Sequence, residues 1–337
     1  MRNIYDLTIK ELEDYFISIN EKKFRAVQVY EALYKRRIKS FDDMTNISKE
    51  VREKLKQDFS FYKIKMLIKQ QGKNVNKYLF ELEDGNKIES VLMFHDYGTS
   101  ICVSSQVGCN MTCAFCESGR LKKVRNLLAY EIVQQILQIE EDINKRITHV
   151  VLMGIGEPFD NYDNVLRFVK IINCGKGIDI GSRHITISTC GVIPGIKKFM
   201  NEEGQVNLAI SLHAPNDTLR SRIMPINKAY SLNELMETIK EYINKTNRRV
   251  TFEYIMLDNV NDSEENAKEL AILLKGINCY VNLIPYNETE NIEFKRTKEW
   301  KIMKFYDILK KNKINVTIRK EFGGSVDAAC GQLRANN

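Results

Sequence analysis

Residues 108–116 read Gly108-Cys109-Asn110-Met111-Thr112-Cys113-Ala114-Phe115-Cys116. Three thiols fall within eight residues, just after an apolar run at 101–105 that reads as a strand. Thiolates are soft ligands that select iron–sulfur clusters or zinc. A four-iron, four-sulfur cubane held by three cysteines keeps one iron open for a small ligand. A structural zinc site normally takes four protein ligands. No fourth Cys or His stands nearby, since His149 is remote and Cys174 and Cys190 lie in other units. A cluster on Cys109, Cys113 and Cys116 is the better reading, with zinc as the alternative.

Outward from this loop the chain alternates between apolar strand-like runs and helical periodicity. Strands are expected at 101–105, 147–153, 184–189, 206–212, 250–257, 280–286 and 314–318. Between them, Ile132, Val133, Ile136, Leu137 and Ile143 share a helical face. Ser231 through Glu234 reads as a capping box. Asp262 through Glu265 opens another helix, and a further one is expected over 297–312. This alternation predicts an α/β fold: a parallel sheet with helices outside, as a partial (β/α)6 barrel. The units are too few for a closed eight-fold barrel.

In such folds the working residues sit at the C-terminal ends of strands. Gly154-Ile155-Gly156-Glu157-Pro158 stands at such an end. Glycines there admit a ligand close to the backbone, and a carboxylate can hold an ammonium group. A plain strand-to-helix turn is the alternative. Ser188, the run Ser211-Leu212-His213, and Asn287 occupy three further strand ends. Each alone reads as an ordinary turn or core polar residue; their shared location suggests a nucleoside site.

The N-terminal part differs. Leu12, Tyr15, Phe16 and Ile19 share one helical face, and a second helix runs through Val27, Val29, Tyr30, Leu33 and Tyr34. The basic run Lys35–Lys39 follows. Residues 63–94 read as short antiparallel strands turning at Glu83-Asp84-Gly85-Asn86. The expected division is a helical accessory domain at 1–62, linking strands at 63–94 and the barrel at 95–337. Charges interrupt the first sixteen residues, so no signal-peptide core is expected there. No stretch has the roughly 18 uninterrupted apolar residues of a membrane span. A soluble, cytoplasmic monomer is the expectation. Eight cysteines in such a chain point to metal or thiol chemistry rather than a disulfide framework. The net charge of +7 suits a polyanionic partner without requiring one.

The CxxxCxxC spacing, with an aromatic residue before its last cysteine, resembles the radical S-adenosylmethionine (SAM) superfamily. Further runs extend the likeness: Ser104–Cys109, Gly154–Pro158, Ser211–Pro215, Met224–Asn227, Val281–Pro285 and Ala329–Leu333 resemble the RlmN/Cfr family of radical SAM RNA methyltransferases. The resemblance covers nearly the whole chain and is closer to the RlmN branch. It implies a [4Fe-4S] cluster whose open iron chelates SAM, with Gly156, Glu157, Ser188, Ser211, Leu212, His213 and Asn287 in the SAM site. Two SAM molecules would be consumed. One methylates Cys330, and the other yields a deoxyadenosyl radical that activates the S-methyl group. The protein–RNA adduct would resolve by proton loss to Glu89 and formation of a Cys102–Cys330 disulfide. From the residues alone, Glu89 reads as an exposed strand glutamate. Cys102 reads as a buried small hydrophobe, as do Cys174, Cys190 and Cys279.

The family's substrate is an adenosine of 23S ribosomal RNA, methylated on carbon 2 in the RlmN branch, which also acts on tRNA, and on carbon 8 in the Cfr branch. A flavodoxin or ferredoxin is the implied electron donor. Arg120–Arg125, Arg248-Arg249 and Arg319-Lys320 are candidate phosphate contacts, or simply solvated surface. One residue departs from the pattern. Glu117 follows the last cluster cysteine where small or hydroxyl residues are usual, and a carboxylate there would oppose reduction unless it faces solvent.

Overall fold

The computed structural model describes residues 1–319. One ten-stranded sheet organises it. Its strands are β1 (Lys65–Gln71), β2 (Val75–Glu81), β3 (Lys87–His95), β4 (Gly98–Cys102), β5 (His149–Leu152), β6 (Ile185–Thr189), β7 (Asn207–Ser211), β8 (Val250–Met256), β9 (Cys279–Pro285) and β10 (Val316–Ile318). They neighbour one another in chain order. Strands β4 to β10 run parallel, and β1 to β4 pair antiparallel.

Helices α4 (Ala129–Ile143), α5 (Tyr162–Ile172), α6 (Ile193–Phe199), α7 (Asp217–Ile223), α8 (Leu232–Thr246), α9 (Glu264–Leu273) and α10 (Glu299–Lys311) fill the crossovers. Six strand–helix units followed by a seventh parallel strand make the partial barrel that the alternation predicts. Local chemistry sets the helix starts. The Ser231 hydroxyl accepts from Glu234 N–H, and the Glu234 carboxylate accepts from Ser231 N–H. Ser263 caps α9 by accepting from Asn266 N–H.

The antiparallel strands do not stand apart from the barrel. β3 pairs with β4 from Val91↔Cys102 to His95↔Gly98, so the barrel sheet continues into β1–β3. This extension brings β2 and β3 side chains to the edge of the barrel interior.

Helices α1 (Ile9–Ser18), α2 (Phe24–Tyr34) and α3 (Lys49–Asp58) form the N-terminal part. The first two, with the segment that follows them, dock on α4 and α5. Arg167 on α5 holds Glu11 at 2.5 Å, Arg37 pairs with Glu140 on α4, and Tyr30 donates to the Ile171 carbonyl. One apolar core runs without a break from Ile4 through the barrel to Val316.

Candidate active site

A cavity of roughly 340 Å³ opens at the C-terminal ends of the parallel strands. This is the size of a small-molecule pocket. Cys109, Cys113 and Cys116 line one wall. Burial pushes the Cys109 thiol up to about 11; it also raises Cys113, with the Cys116 and Cys109 thiols adding, and Cys116, where hydrogen bonds from Gly119 and Ser118 oppose it. The three thiols share a cavity wall. That arrangement fits a cubane, in which each thiolate takes its own iron, and binding there supplies the cationic partner that buried thiolates need.

The glycine-rich segment forms the next part of the wall. Gly156 has φ +110°, and a Cβ there would lie 2.6 Å from Gln106 Cβ. Gly154 packs so closely that its Cβ would meet the Val103 carbonyl at 2.6 Å. Glu157 is buried; Oε1 accepts from Phe159 N–H and Oε2 from Cys190 N–H. Burial pushes its carboxyl up and these N–H donors pull it down, with burial prevailing. A ligand ammonium at this carboxylate would supply the missing counter-charge.

Ser188 on β6, Ser211 at the end of β7, His213 just beyond it, and Asn287 after β9 also line the cavity. Burial pushes His213 down to about 3, with Arg220 adding to the effect. Its Nδ1 accepts from Ile255 N–H at 3.0 Å, so the neutral ring carries its proton on Nε2. The His213 backbone is left-handed at φ +59°, and its ring meets Phe115 edge-on. Leu212 differs from its neighbours: its side chain lies in the main core rather than the cavity wall. Its backbone N–H donates to the Glu253 carbonyl on the neighbouring strand.

Across the cavity stand Cys102 at the end of β4 and Glu89 on β3. Burial pushes the Cys102 thiol up to about 11, with Arg319 opposing. Glu89 is not the exposed strand residue that its sequence context suggests. It is 2% exposed and pairs with Lys77, itself 1% exposed, at 3.4 Å. The sheet extension turns both inward. Cys330 lies outside the described residues; Arg319, the last of them, lines the cavity.

Several residues escaped sequence reasoning. Cys190, read as a core hydrophobe, lines the cavity beside Glu157 and Cys113. Lys77 and Glu253 also line it. A lysine within Val75–Phe80 and a glutamate within Val250–Met256 are the charged residues of those stretches, which was the available signal. Glu117 turns inward: it is 3% exposed, lines the cavity, and Oε1 has no hydrogen-bond partner among the described residues. The basic segments are largely consumed by the fold. Arg120 donates to the Asn291 carbonyl, Lys123 pairs with Asp160, Arg125 with Glu131 and Asp84, and Arg249 lies over Tyr280. Lys122 remains exposed.

Among the described residues no helix is long and apolar enough to cross a membrane. Residues 2–60 match the model of the ribosomal RNA large subunit methyltransferase N-terminal domain, and residues 103–271 match the radical SAM superfamily. The chain is 53% identical to a probable dual-specificity RNA methyltransferase RlmN of Spiroplasma citri, over 100% of this chain and 98% of the relative. It is 54% identical to the same-named protein of Streptococcus thermophilus, over 99% and 88%. A crystal structure of a radical SAM methyltransferase from Sphaerobacter thermophilus superposes with a TM-score of 0.93 at 40% identity, covering 98% of this chain and 99% of the other.

Proposed function

Because the chain belongs to the RlmN family of radical SAM RNA methyltransferases, we infer that it methylates carbon 2 of an adenosine in 23S ribosomal RNA and of one in tRNA. The observation that carries this reading is the shared cavity: Cys102 and Glu89 face the same space as the three cluster cysteines and the glycine-rich segment. A plain radical generator would not need a second thiol and a buried carboxylate opposite its cluster loop.

When bound, the cluster and SAM supply a carbon-centred radical by one-electron cleavage of SAM. The chain's own residues do the rest. Cys109, Cys113 and Cys116 hold the cluster. Glu157 receives the SAM ammonium, while Ser188, Ser211, His213 and Asn287 orient the nucleoside, with Leu212 backing them from the core. Gly156 keeps the backbone close to the ligand. Cys330 accepts a methyl group from a first SAM on its sulfur and delivers that carbon to the adenine ring. Glu89 takes the proton that leaves carbon 2, and Cys102 releases the product by forming a disulfide with Cys330. Lys77 keeps the Glu89 carboxylate in place. Residues 1–62 form the accessory RNA-binding part, 63–94 the linking strands and 95–337 the catalytic barrel. The chain works as a cytoplasmic monomer, with a flavodoxin or ferredoxin as electron donor. The base must leave its stack to reach the cavity.

The test is expression in cells lacking their own adenosine methylase, with methyladenosines mapped in ribosomal RNA and tRNA by mass spectrometry. Carbon-2 product in both RNAs is expected. Cys330→Ala should abolish it, and Cys102→Ala should accumulate protein cross-linked to RNA. Carbon-8 product would overturn the regiochemistry. Absence of product from a cluster-loaded wild type would overturn the methylase reading.

A further inference from the structure

Arg220 on α7 is 1% exposed, yet no carboxylate touches its guanidinium among the described residues. Nε donates to the Leu212 carbonyl at 3.2 Å, Nη1 to Asn227 Oδ1 at 2.8 Å, and Nη2 to the carbonyls of Cys190 at 2.7 Å and Ser211 at 3.3 Å. All four acceptors are neutral. A buried charge left without a counter-ion costs several kcal/mol. Asp217 is the carboxylate connected to it, but only through Asn227, whose Nδ2 donates to Asp217 Oδ1 at 2.7 Å. Asp217 is itself exposed, so water screens it.

The helix that carries Arg220 is tied to the cysteine loop, since the Ile223 carbonyl at its end accepts from Ala114 N–H at 2.9 Å. The Arg220 guanidinium holds the carbonyl of Cys190, whose side chain lines the cavity with Cys113, and it is within electrostatic reach of the Cys113 thiol. His213, which is also close, is neutral and offers no negative charge. A cubane on three thiolates is anionic, and reduction adds one more negative charge.

We propose that Arg220 is the fixed counter-charge of the cluster, placed to stabilise its reduced form. The inference rests on the reading that Cys109, Cys113 and Cys116 hold a cluster. Arg220 also ties together the carbonyls that end β6 and β7, so a purely structural role must be told apart from a role of its charge. A positive charge several ångströms away in a medium of effective dielectric ~20 is sufficient to change the reduction equilibrium about tenfold. The cluster's own charge environment is a recognised lever on its potential.

Full-length protein, reconstituted anaerobically with iron and sulfide, is titrated at controlled potentials and its reduced cluster counted by electron paramagnetic resonance. Arg220→Gln should move the reduction equilibrium about tenfold against the reduced form, and Arg220→Lys should stay near wild type. A paired exchange, Asp217→Asn with Asn227→Asp, keeps the arginine and its acceptors but sets a carboxylate directly on Nη1. It should move the equilibrium the same way as Arg220→Gln, and it carries the test if Arg220→Gln does not fold. Equal midpoints in wild type and the exchange variant would overturn the proposal, as would a shift in Arg220→Lys as large as in Arg220→Gln. A wild type that binds no cluster would instead overturn the cluster reading itself.

Discussion

At Gly156 the backbone takes φ +110°, a region that residues with a Cβ rarely enter. Its missing side chain leaves room for Gln106, whose Oε1 accepts from Glu157 N–H at 2.9 Å. Gly156→Ala would drive Gln106 aside and rotate the next peptide, adding strain of about 1–3 kcal/mol. The expected result is SAM binding weakened at least tenfold by calorimetry, with a modest fall in melting temperature. Binding equal to wild type would show that the segment does not shape the SAM site. This glycine was legible in the sequence because its neighbours form a recognisable run. Arg220 was not: within Asp217–Ile223 it has the look of an ordinary surface-helix cation. Only its four neutral acceptors, drawn from three separate segments, give it meaning. Glu89 was hidden for a related reason, because a single acidic residue in a strand does not announce which face is covered.

The parallel strands and their helices were legible because each carries its own periodic signal, and the observed bounds fall within a few residues of those expected. Continuity of β1–β3 with the barrel was not, since the pairing partner of an edge strand is a long-range choice. Docking of α1 is set just as remotely. Glu11 closes the α1 capping box with Thr8 and reaches Arg167 on α5. Burial pushes the Glu11 carboxyl up, but hydrogen bonds led by Arg167 outweigh it and bring it down to about 2. A carboxyl lowered on folding stabilises the native state above its unfolded value and loses that contribution as pH falls through the folded one. Glu11→Ala should therefore lower stability near neutrality by about 1 kcal/mol, the usual worth of a lost cap. The gap between wild type and variant in urea denaturation should shrink as pH drops from about 4.5, an ordinary carboxyl value, toward about 2. A gap constant over that range would mean that Glu11 acts without its charge.

For the molecule as a whole, helical periodicity sets residues 1–62 apart as a helical part, while the packing joins them to the barrel. Tyr5, Phe16, Tyr30 and Tyr34 belong to the same apolar core as the barrel strands and are nearly inaccessible to solvent. The joint is also polar: Arg37 with Glu140, Arg167 with Glu11, and Tyr130 N–H with Asp6 span it. Inter-domain contacts that permit independent motion are usually smaller and more polar than a core. A core shared in this way couples the two parts, because unfolding either one exposes apolar surface on the other. Calorimetry of the full chain should accordingly give a single unfolding transition. A chain beginning at residue 63 should expose the α4 and α5 faces that α1 and α2 now cover. It should bind a hydrophobic dye and aggregate rather than persist as a bare barrel. Two well-separated transitions, or a monomeric truncated barrel that retains its cluster and SAM affinity, would contradict this coupling. The N-terminal helices would then be an RNA-binding attachment to a self-sufficient barrel rather than part of the scaffold that holds it together.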